Sequence, residues 1–506
     1  MTTPSLARVF LSYKRNAEPD ERLAQQVLRS LSDKGYSVFI DRKLKIGQDW
    51  AGEIEAELRE SDFLIVFLSE ASSRSEMVKG EIEIARKHAT TAGKPRILPV
   101  RVTFTGALPY PLNAYLDRLQ YALWQEEADT ARLLEILHDA LGGGDISSPD
   151  VSLAQAPADG DLPPSYAAPL PPPGGALDVD DPLYLERPPD RSALLLLPQR
   201  GQTVVIKGPR QMGKSSLLMR SVAAATRAGK RAVLLDFQLL DRETRESSNL
   251  FFRRFLASIV EQLELPDRVD ELWDSGLANP QNCTRYFERQ ILSKIPEPLT
   301  LAIDEADALF GTDFLGDFFG MIRSWHNLRA NPVKPAWKKL DLILVASTEP
   351  YMLIDRPHES PFNVGVMLAL SDFAPEQVQE LNRRHGSPLN GEQLQQLATL
   401  LGGHPYLTRK ALYSATKERR PGDLFAQAID DTGPFGDHLR YYLLRLQGKQ
   451  ELVTALFQIV QGRSCNDESL CYRLEGAGLV KRQAGKVIPR CQLYADYFRE
   501  RLHPNA

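Results

Sequence analysis

The stretch Gly208-Pro-Arg-Gln-Met-Gly-Lys-Ser215 decides how the central part of this chain folds. It follows the apolar run 204–206 and leads into the apolar residues 217–219, which predicts a strand, a glycine-rich loop and the start of a helix. The unpaired backbone N–H groups of such a loop and of a helix N-terminus favour phosphates. The G-x-x-x-x-G-K-S spacing predicts a nucleoside triphosphate site, in which Lys214 reaches the β- and γ-phosphates and Ser215 holds Mg²⁺. The predicted contacts from this stretch are Gly208, Arg210, Gly213, Lys214, Ser215 and Ser216.

An acidic strand end downstream supports this interpretation. The apolar run 299–303 is typical of a strand buried on both faces of a parallel sheet, and it ends in Asp304 and Glu305. We expect Asp304 to be the second residue that orients Mg²⁺, and Glu305 to polarise the attacking water. The next apolar strand, 342–346, leads to Thr348, whose hydroxyl is a candidate sensor of the γ-phosphate. The alternative is an ordinary turn residue, since Ser and Thr are common after strands.

Size and composition indicate a multidomain globular protein. At ~150 residues per domain, a chain of 506 residues holds roughly three or four domains. Hydrophobic residues make up 43% and the net charge is −5, which provides no global basic field for nucleic acids or acidic membranes. The four cysteines lack metal-type spacing and are too few for a disulfide framework, as is usual in a reducing cytosol. We find no export signal and no apolar run of about 20 residues, so we expect a soluble cytoplasmic protein without membrane contact.

A stretch rich in Pro, Ala, Gly, Ser and Asp, residues 142–181, divides the chain. It has few large apolar residues, so we expect a disordered linker. Upstream, residues 5–141 alternate between apolar runs and segments of helical periodicity, which predicts a doubly wound α/β domain whose ligand crevice lies beyond the carboxyl ends of parallel strands. The predicted strands are 9–11, 38–40, 63–68 and 97–102, and the predicted helices are 23–31, 50–58, 78–89 and 130–141.

Four ordered blocks of this upstream region resemble those of TIR domains: VFLSYKR (9–15), GYSVFIDRKLKIG (35–47), SDFLIVFLS (61–69) and SEMVKGEIEIA (75–85). The resemblance implies a flavodoxin-like α/β fold over residues 5–141. It also implies one of two functions, because some TIR domains are scaffolds that assemble with other TIR domains and others are NAD⁺ glycohydrolases. In the enzymes the catalytic glutamate lies on the helix after the third main strand, which corresponds to Glu81 in this chain.

The periodicity around Glu81 supports the same assignment. Glu81 shares the apolar stripe of its helix with residues within one turn of it, namely Met77, Val78, Ile84 and Ala85. The neighbours of Glu83 at that distance are glycine and basic residues, which is typical of a solvated face. A helical glutamate is ordinarily a surface charge. On an apolar stripe it needs a function or a partner, because burying an unpaired carboxylate is costly.

A single carboxylate is enough for the expected chemistry. Nicotinamide leaves NAD⁺ as a neutral molecule without a general acid, and the positive charge that develops on the ribose resembles that in glycoside hydrolysis. A carboxylate beside the ribose stabilises that charge. The resemblance further implies that Tyr13, Lys14, Arg15 and Lys45 lie near NAD⁺, and a solvated basic loop is the alternative. Many TIR domains have Trp where this chain has Met77.

Downstream of the linker, five segments resemble the STAND branch of AAA-like NTPases from prokaryotes: YLERPPDR (184–191), GPRQMGKSSLL (208–218), LAIDEAD (301–307), SPFNVG (360–365) and GGHPYL (402–407). The resemblance implies a P-loop NTPase domain over 182–385 and a helical lid over 386–440. It implies that Tyr184 and Arg187 lie near the base of the bound ATP or ADP, and that His404 reads its phosphate state. The N-terminus of a structural helix explains Gly-Gly-His-Pro equally well.

The C-terminal region, 441–506, resembles a winged helix, with LCYRLEGAGLVKR (470–482) as helix, turn and strand. Such folds often bind DNA through their second helix. Here that helix carries Asp467, Glu468 and, among basic residues, only Arg473, whereas a phosphate-binding surface is normally more basic. We therefore expect a packing module that keeps the NTPase closed, and we do not expect nucleic acid as a partner.

Together these features predict an α/β multidomain switch. We expect a closed, ADP-bound monomer that ATP and an unknown trigger or sensor protein convert into a homo-oligomer through its TIR and NTPase domains. Clustering raises the local concentration of TIR domains and would complete the pocket around Glu81, and NAD⁺ depletion would then serve antiviral defence. Two alternatives stay open: a TIR scaffold without enzymatic activity, and an ATP-dependent DNA-binding regulator that acts through the winged helix.

Overall fold

The computed structural model describes residues 7–40, 50–104, 108, 112–116, 119–142, 170–347, 365–417, 421–465 and 467–502. Lys45 and Thr348, two of the predicted site residues, lie outside these ranges. The chain forms two compact units. The first comprises Met1–Gly175 and Tyr413–Gln450, and the second comprises Ala176–Leu412 and Glu451–Ala506. The segment Tyr413–Gln450, from the C-terminal part of the sequence, therefore belongs to the N-terminal unit.

The strands are β1 (Arg8–Ser12), β2 (Ser37–Ile40), β3 (Phe63–Leu68), β4 (Arg96–Val102), β5 (Ala122–Trp124), β6 (Thr203–Lys207), β7 (Arg231–Asp236), β8 (Leu299–Asp304), β9 (Leu340–Ala346), β10 (Val366–Ala369), β11 (Val480–Gln483) and β12 (Lys486–Pro489). The strands predicted from apolar runs are all present. Strand β5 was not predicted, because a three-residue strand is too short to show a periodicity.

The helices of the N-terminal half are α1 (Asp20–Asp33), α2 (Trp50–Glu60), α3 (Glu70–Ser73), α4 (Glu76–Ala92), α5 (Leu112–Leu116), α6 (Thr130–Leu141), α7 (Pro188–Leu196), α8 (Lys214–Arg227), α9 (Arg242–Glu246) and α10 (Ser248–Gln262). Those that follow are α11 (Val269–Leu272), α12 (Asn279–Tyr286), α13 (Leu315–Leu328), α14 (Pro375–Arg384), α15 (Gly391–Leu401), α16 (Pro405–Lys417), α17 (Pro421–Ala426), α18 (Gly436–Leu446), α19 (Gln450–Val460), α20 (Glu468–Gly476) and α21 (Gln492–Arg501). Within the described part of the chain, no helix is long and apolar enough to cross a membrane.

The first unit is built on a parallel sheet of five strands in the order β2-β1-β3-β4-β5. Alternate residues of β1 point to opposite faces: Val9 and Leu11 pack against α1 and α6, whereas Phe10 packs against α2 and α4. Helices therefore cover both faces of the sheet, which confirms the predicted doubly wound α/β architecture.

Helix α18 contributes to the core of this first unit. Its residues Tyr441 and Leu444 are 1% and 4% exposed, and they belong to the apolar cluster that includes Met77 and Val78 of α4. From the sequence, this segment is expected to fall partly in a helical lid and partly in a winged helix. In the structure it packs beside the helix that carries Glu81.

The second unit contains a parallel sheet in the order β10-β6-β9-β8-β7. Strands β8 and β9 are buried along their whole length, as the apolar runs predicted. Because the strands are parallel, β6, β7 and β8 end at one edge of the sheet, where Asp236 and Asp304 stand in register. This edge also holds the loop that connects β6 to α8, so the predicted phosphate and magnesium residues lie at the same end.

The C-terminal part of the second unit contains α19, α20, the antiparallel hairpin β11–β12 and α21. The predicted helix, turn and strand over 470–482 are present as α20 and β11. Asp467 caps α20 by accepting hydrogen bonds from the backbone of Ser469 and Leu470. A disulfide joins Cys465 to Cys471, a pairing that the sequence analysis did not predict.

Candidate functional sites

The loop between β6 and α8 has the backbone conformation of a phosphate-binding loop. Gly213, directly before the first residue of α8, has φ of 88°, a left-handed value that glycine adopts without strain. A Cβ at Gly208 would meet the Cβ of Leu370 at 3.2 Å, a tight contact, so glycine suits the close packing of the loop there. Both predicted glycines are therefore explained by geometry, and the N–H groups at the start of α8 are available to anions.

Lys214 is the buried cation of this loop. Its side chain is almost enclosed, and its Nζ donates a hydrogen bond of 3.0 Å to the carbonyl oxygen of Pro209. Burial lowers the pKa of Lys214, and the negative charges of Glu305, Asp307 and Asp304 act in the opposite direction. An anionic phosphate would stabilise the ammonium in the same way, because it adds negative charge beside a desolvated cation.

Asp304 and Ser215 form the candidate metal site. Asp304 ends β8, is buried, and accepts a hydrogen bond from the Ser215 hydroxyl. Burial, followed by the charge of Glu305, raises the pKa of Asp304 to about 7. A divalent cation would stabilise the ionised carboxylate, and Mg²⁺ prefers the oxygen ligands that a hydroxyl and a carboxylate supply. These residues therefore fit Mg²⁺.

Two features of the acidic strand end were not predicted from the sequence. Glu305 adopts φ of 49°, a left-handed conformation that is uncommon for a residue with a side chain. Asp307 accepts a hydrogen bond of 3.1 Å from the backbone N–H of Ser347, and burial raises its pKa to about 6. The signal for Asp307 was present in the motif LAIDEAD, in which it follows Glu305 by two positions.

In the first unit, the structure brings Glu81 together with a residue that the sequence analysis missed. Glu81 lies on α4 and is 3% exposed, and its Oε2 accepts a hydrogen bond of 2.6 Å from the hydroxyl of Ser12. Ser12 is the last residue of β1 and is also buried. The carboxylate is therefore held at the carboxyl edge of the parallel sheet, where ligands bind in doubly wound folds.

A second polar pair lies at the end of the neighbouring strand β3. Ser69 follows β3, and its hydroxyl donates a hydrogen bond of 2.8 Å to Asp20 Oδ2. Asp20 is fully buried, and this burial raises its pKa to about 6. The sequence signal for both Ser12 and Ser69 was a hydroxyl residue directly after an apolar strand, which is also the ordinary composition of a turn.

The remaining predicted NAD⁺ contacts are placed differently from one another. Tyr13 packs in the core on the face of the sheet covered by α1 and α6, whereas Glu81 approaches from α4 on the opposite face. Lys14 is partly buried, and its Nζ lies 3.2 Å from Asp437 Oδ1 of α18. Arg15 is half-buried. The structure thus places Ser12 against Glu81 and directs Lys14 to α18.

Comparison with known families identifies both parts of the chain. A sequence model of the AAA-like domain matches residues 172–500, and one of the TIR domain matches residues 9–137. The chain belongs to the AAA-like domain family and carries a TIR domain at its N-terminus. The resemblance to TIR domains and the AAA-like character of the region downstream are therefore confirmed. The chain is also 27% identical over 348 residues to slr0143, an uncharacterized WD repeat-containing protein of Synechocystis sp., covering 66% of this chain and 26% of that protein.

Solved structures similar to this chain include archaeal ATPases. The Walker-type ATPase PABY2304 of Pyrococcus abyssi is 16% identical and covers 62% of this chain and 96% of its own, with a TM-score of 0.44. The STAND protein PH0952 of Pyrococcus horikoshii, which has a tetratricopeptide repeat sensor, is 18% identical and covers 63% of this chain and 42% of its own, with a TM-score of 0.31. Because both TM-scores are below 0.5, the family assignment rests on the sequence models.

Arg187 of the AAA-like region contacts the phosphate-binding loop directly. Its Nη1 donates a hydrogen bond of 2.7 Å to the carbonyl oxygen of Met212, and burial lowers its pKa to about 10. Its backbone N–H donates to Asp190, which also accepts a hydrogen bond from the hydroxyl of Tyr184. Tyr184 and Arg187 are therefore joined through one buried carboxylate, whose pKa burial raises to about 6.

A charged cavity lies beside Tyr184. Its volume is about 550 Å³, and its lining includes Tyr184, Glu186, Arg220, Glu376, Glu380 and Arg384. The guanidinium of Arg220 lies 4.4 Å above the Tyr184 ring. The volume is in the range of small-molecule sites, about 300–1,000 Å³. Tyr184, predicted near the base of the nucleotide, thus lines a cavity in the AAA-like region.

His404 lies at a helix junction of the AAA-like region. It is fully buried between the end of α15 and the start of α16, and its ring meets that of Tyr494 edge-on at 6.4 Å. The preceding Gly403 has φ of 76°, and a Cβ there would lie 2.2 Å from the carbonyl oxygen of Phe373. A structural role at the junction accounts for these observations.

Ser216 and Arg210 complete the predicted contacts of the loop. The hydroxyl of Ser216 accepts a hydrogen bond of 3.0 Å from the backbone N–H of Leu177. Arg210 is half-buried, and its charge contributes to the lowered pKa of Lys214. Ser216 thus joins the segment around Leu177 to α8.

The C-terminal part of the second unit contacts the loop through Arg490, which was not predicted from the sequence. Arg490 is buried, and its Nη2 lies 2.6 Å from Asp372 Oδ1 and 3.0 Å from Met212 Sδ. Arg482 of β11 pairs with Glu468 and Glu475 of α20. In these ion pairs the carboxylates of α20 offset the charge of the Arg482 guanidinium.

Proposed function

We propose that this protein is an NAD⁺ glycohydrolase whose TIR domain is controlled by the nucleotide state of its AAA-like region. The observation that carries the proposal is the buried carboxylate of Glu81, which is oriented by the Ser12 hydroxyl at the carboxyl edge of the sheet. Burying a carboxylate is costly, and a buried titratable group at the carboxyl edge of a parallel sheet is typical of a functional site.

In the proposed reaction, Glu81 stabilises positive charge on the ribose. The glycosidic C–N bond breaks, its electron pair passes to the ring nitrogen, and nicotinamide leaves as a neutral molecule. Water then forms the new bond to the ribose carbon and releases a proton, which gives ADP-ribose. The Ser12 hydrogen bond fixes the direction of the carboxylate, and low solvent access strengthens its effect on the developing charge.

The AAA-like region would bind ATP or ADP through the same groups that its geometry brings together. The N–H groups at the start of α8 and the ammonium of Lys214 would hold the phosphates, and Ser215 with Asp304 would hold Mg²⁺. When bound, Mg²⁺ supplies positive charge against the phosphate oxygens. Glu305 would orient the attacking water.

Control by nucleotide follows from the combination of the two domains. We expect an ADP-bound resting form and an ATP-bound form that self-associates when an unknown trigger acts. Assembly would concentrate TIR domains, and the loss of cellular NAD⁺ would serve antiviral defence. The family match of both domains supports this architecture.

The test is nicotinamide release from NAD⁺, measured by mass spectrometry on the purified full chain with ATP or ADP and Mg²⁺. Glu81→Gln should lower turnover by about 100-fold or more, because the group that offsets the developing charge is removed. The matched control is Glu135→Gln, which makes the same change at an exposed position of α6. Retained turnover in Glu81→Gln excludes this residue from the chemistry.

A TIR scaffold is the second candidate, because at 3% exposure the Glu81 carboxylate is closed to substrate in this form of the protein. The two candidates differ when the protein is clustered artificially, for example through a fused oligomerising domain. A clustered, ATP-loaded wild type that releases no nicotinamide but recruits further TIR domains would establish the scaffold and overturn the enzyme.

A further inference from the structure

Helix α18 packs against α4, the helix that carries Glu81, although the contacting residues are 362 positions apart in the chain. The approach is close because α4 has glycine at the contact. A Cβ at Gly80 would meet Tyr441 Cδ2 at 3.2 Å and Leu444 Cδ2 at 3.3 Å. Glycine is unfavourable inside a helix, and the tight contact with α18 offers a physical reason for it at this position.

Asp437 of α18 binds the N-terminal turn of α4 through both carboxylate oxygens. Its Oδ1 accepts a hydrogen bond of 3.0 Å from the hydroxyl of Ser75, and its Oδ2 accepts one of 3.1 Å from the backbone N–H of Glu76. Oδ1 also lies 3.2 Å from Lys14 Nζ. One carboxylate therefore accepts a hydrogen bond from an N–H group of the first turn of α4 and pairs with a cation that the TIR resemblance places near NAD⁺.

A second polar contact lies beside the first. His438 Nδ1 is 2.7 Å from Glu76 Oε2, and both side chains are buried. Further along the same two helices, Arg445 lies 3.3 Å from Glu83. Three polar contacts and a matched glycine thus follow one face of α4, which indicates a specific interface.

We propose that α18 is an inhibitory segment that holds the TIR domain in a resting form. It does so by engaging Lys14 and by fixing the first turn of the helix that carries Glu81. This inference rests on the proposed NAD⁺ glycohydrolase function, whose site it regulates. Release of α18 frees the Lys14 ammonium and the face of α4 around Gly80, on which a second copy of the TIR domain can pack.

The connection of α18 to the rest of the chain supplies a route for release. In the sequence, the segment Tyr413–Gln450 is preceded by Ala176–Leu412 and followed by Glu451–Ala506, which both belong to the AAA-like unit. Both ends of the segment are therefore covalently attached to the nucleotide-binding unit. A rearrangement of that unit on exchange of ADP for ATP would therefore be transmitted to α18 through the chain itself.

Two variants weaken the interface by different physical means. Asp437→Ala removes the acceptor for Ser75 and Glu76 and the partner of Lys14, whereas Gly80→Leu inserts a side chain where Tyr441 and Leu444 now pack. The control is Asp430→Ala, which changes an exposed aspartate of the same segment. Circular dichroism checks that each variant is folded. If Asp437→Ala is unfolded, Gly80→Leu still tests the interface.

Three readouts are taken on the full chain with ADP: nicotinamide release, self-association by light scattering, and amide hydrogen exchange of residues 75–80. We expect both variants to release nicotinamide at least about 10-fold faster than wild type, and to reach the rate of the ATP-bound wild type. The amide of Glu76 should exchange faster in Asp437→Ala, because its acceptor is gone. The control should match wild type in all three.

The outcomes separate this inference from the proposed function. If wild type with ATP is active but both variants stay at the resting rate, α18 is not inhibitory and the glycohydrolase stands. If no form releases nicotinamide, the glycohydrolase fails, and self-association decides about α18. Association of the variants with ADP, where wild type stays monomeric, then supports inhibition, and monomeric variants overturn it.

Discussion

The hydroxyl of Ser12 donates a hydrogen bond of 2.6 Å to the carboxylate of Glu81, and both groups are buried at the end of the central strands of the first sheet. The donor comes from a strand and the acceptor from a helix on one face of the sheet. Because β1 pairs with both β2 and β3, the backbone that carries the Ser12 hydroxyl is held in place. We infer that Ser12 positions Glu81.

Ser12→Ala tests this positioning. Loss of the donor should lower kcat of NAD⁺ cleavage by about 10-fold to 100-fold with little change in KM. The reason is that a hydrogen bond to a charged group is worth about 1.5–3 kcal/mol. The acidic limb of the kcat–pH profile should move to higher pH, because the ionised carboxylate loses a hydrogen bond. Ser12→Thr, which keeps a hydroxyl, should restore both. An unchanged profile in Ser12→Ala would show that the hydrogen bond has no role in catalysis.

The raised pKa of Asp304 predicts a pH dependence in the AAA-like region. The pKa is about 7 in the folded protein, against about 3.9 for an unfolded chain, so the folded state binds the extra proton between these values. Its contribution to stability is therefore present at low pH and is lost as pH rises through 7. Without nucleotide and Mg²⁺, the free energy of unfolding of wild type should fall relative to that of Asp304→Asn by about 2–3 kcal/mol between pH 5 and pH 8.

Denaturant unfolding of wild type and Asp304→Asn at both pH values measures this difference. Asp313→Asn, which changes an exposed aspartate, is the control and should show no such trend. The affinity for Mg²⁺ with ATP should rise over the same pH range in wild type, since the metal binds the ionised carboxylate. A stability difference that is independent of pH would contradict the raised pKa of Asp304.

A buried ion pair in the AAA-like sheet predicts a loss of stability. Lys230 Nζ lies 2.5 Å from Asp341 Oδ2, and both side chains are fully enclosed. Lys230→Met should destabilise this unit by about 3–5 kcal/mol, because it leaves a buried carboxylate without its cation. The double variant Lys230→Met with Asp341→Leu should recover part of the loss. Thermal unfolding measures both, and a single variant as stable as wild type would show that the pair is dispensable.

A comparison of two glycines separates conformational strain from steric overlap. Gly403 lies at the junction of α15 and α16, and Gly386 lies after α14. Gly403 and Gly386 have φ of 76° and 82°, but only at Gly403 would a Cβ meet backbone, 2.2 Å from Phe373 O. Gly386→Ala should cost about 1–2 kcal/mol from the left-handed conformation alone. Gly403→Ala should cost clearly more, since backbone must move. Equal midpoints of thermal unfolding for the two variants would mean that the junction adapts without strain.

Two variants of the nucleotide site distinguish binding from hydrolysis. Lys214→Ala should weaken ATP binding by about 10-fold or more and prevent assembly, because the buried ammonium that meets the phosphates is lost. Glu305→Gln should bind ATP normally, hydrolyse it slowly and favour the assembled form. Calorimetry, phosphate release and light scattering measure the three properties. If Lys214→Ala assembles and cleaves NAD⁺ like wild type, nucleotide binding does not control this protein.

Local sequence patterns were sufficient for most of the architecture. The apolar runs that became β3, β8 and β9 were recognised because a strand buried on both faces needs consecutive apolar residues. The short elements β5 and α3, with three and four residues, were not found, because neither is long enough for a period to repeat.

The candidate sites were predictable only in part. The loop 208–215 is one continuous motif, so its role can be assigned from spacing alone. Glu81 was found from the stripe of its helix and the TIR blocks, but its partner Ser12 lies 69 positions away and looks like any hydroxyl after a strand. Arg187 was expected beside the base, and its hydrogen bond to Met212 depends on how two separate segments fold together.

By itself, the sequence determined the two α/β folds, the phosphate-binding loop and the glutamate on the apolar side of its helix. Each of these depends on residues that are close together in the chain. Only the tertiary structure decided that Ser12 orients Glu81, that Arg490 contacts the loop at Met212, and that Asp437 pairs with Lys14. These contacts join residues that are distant in the chain, and the periodicity of a local segment cannot predict which distant residue it will contact. Their energies depend on burial, which exists only after the chain has folded.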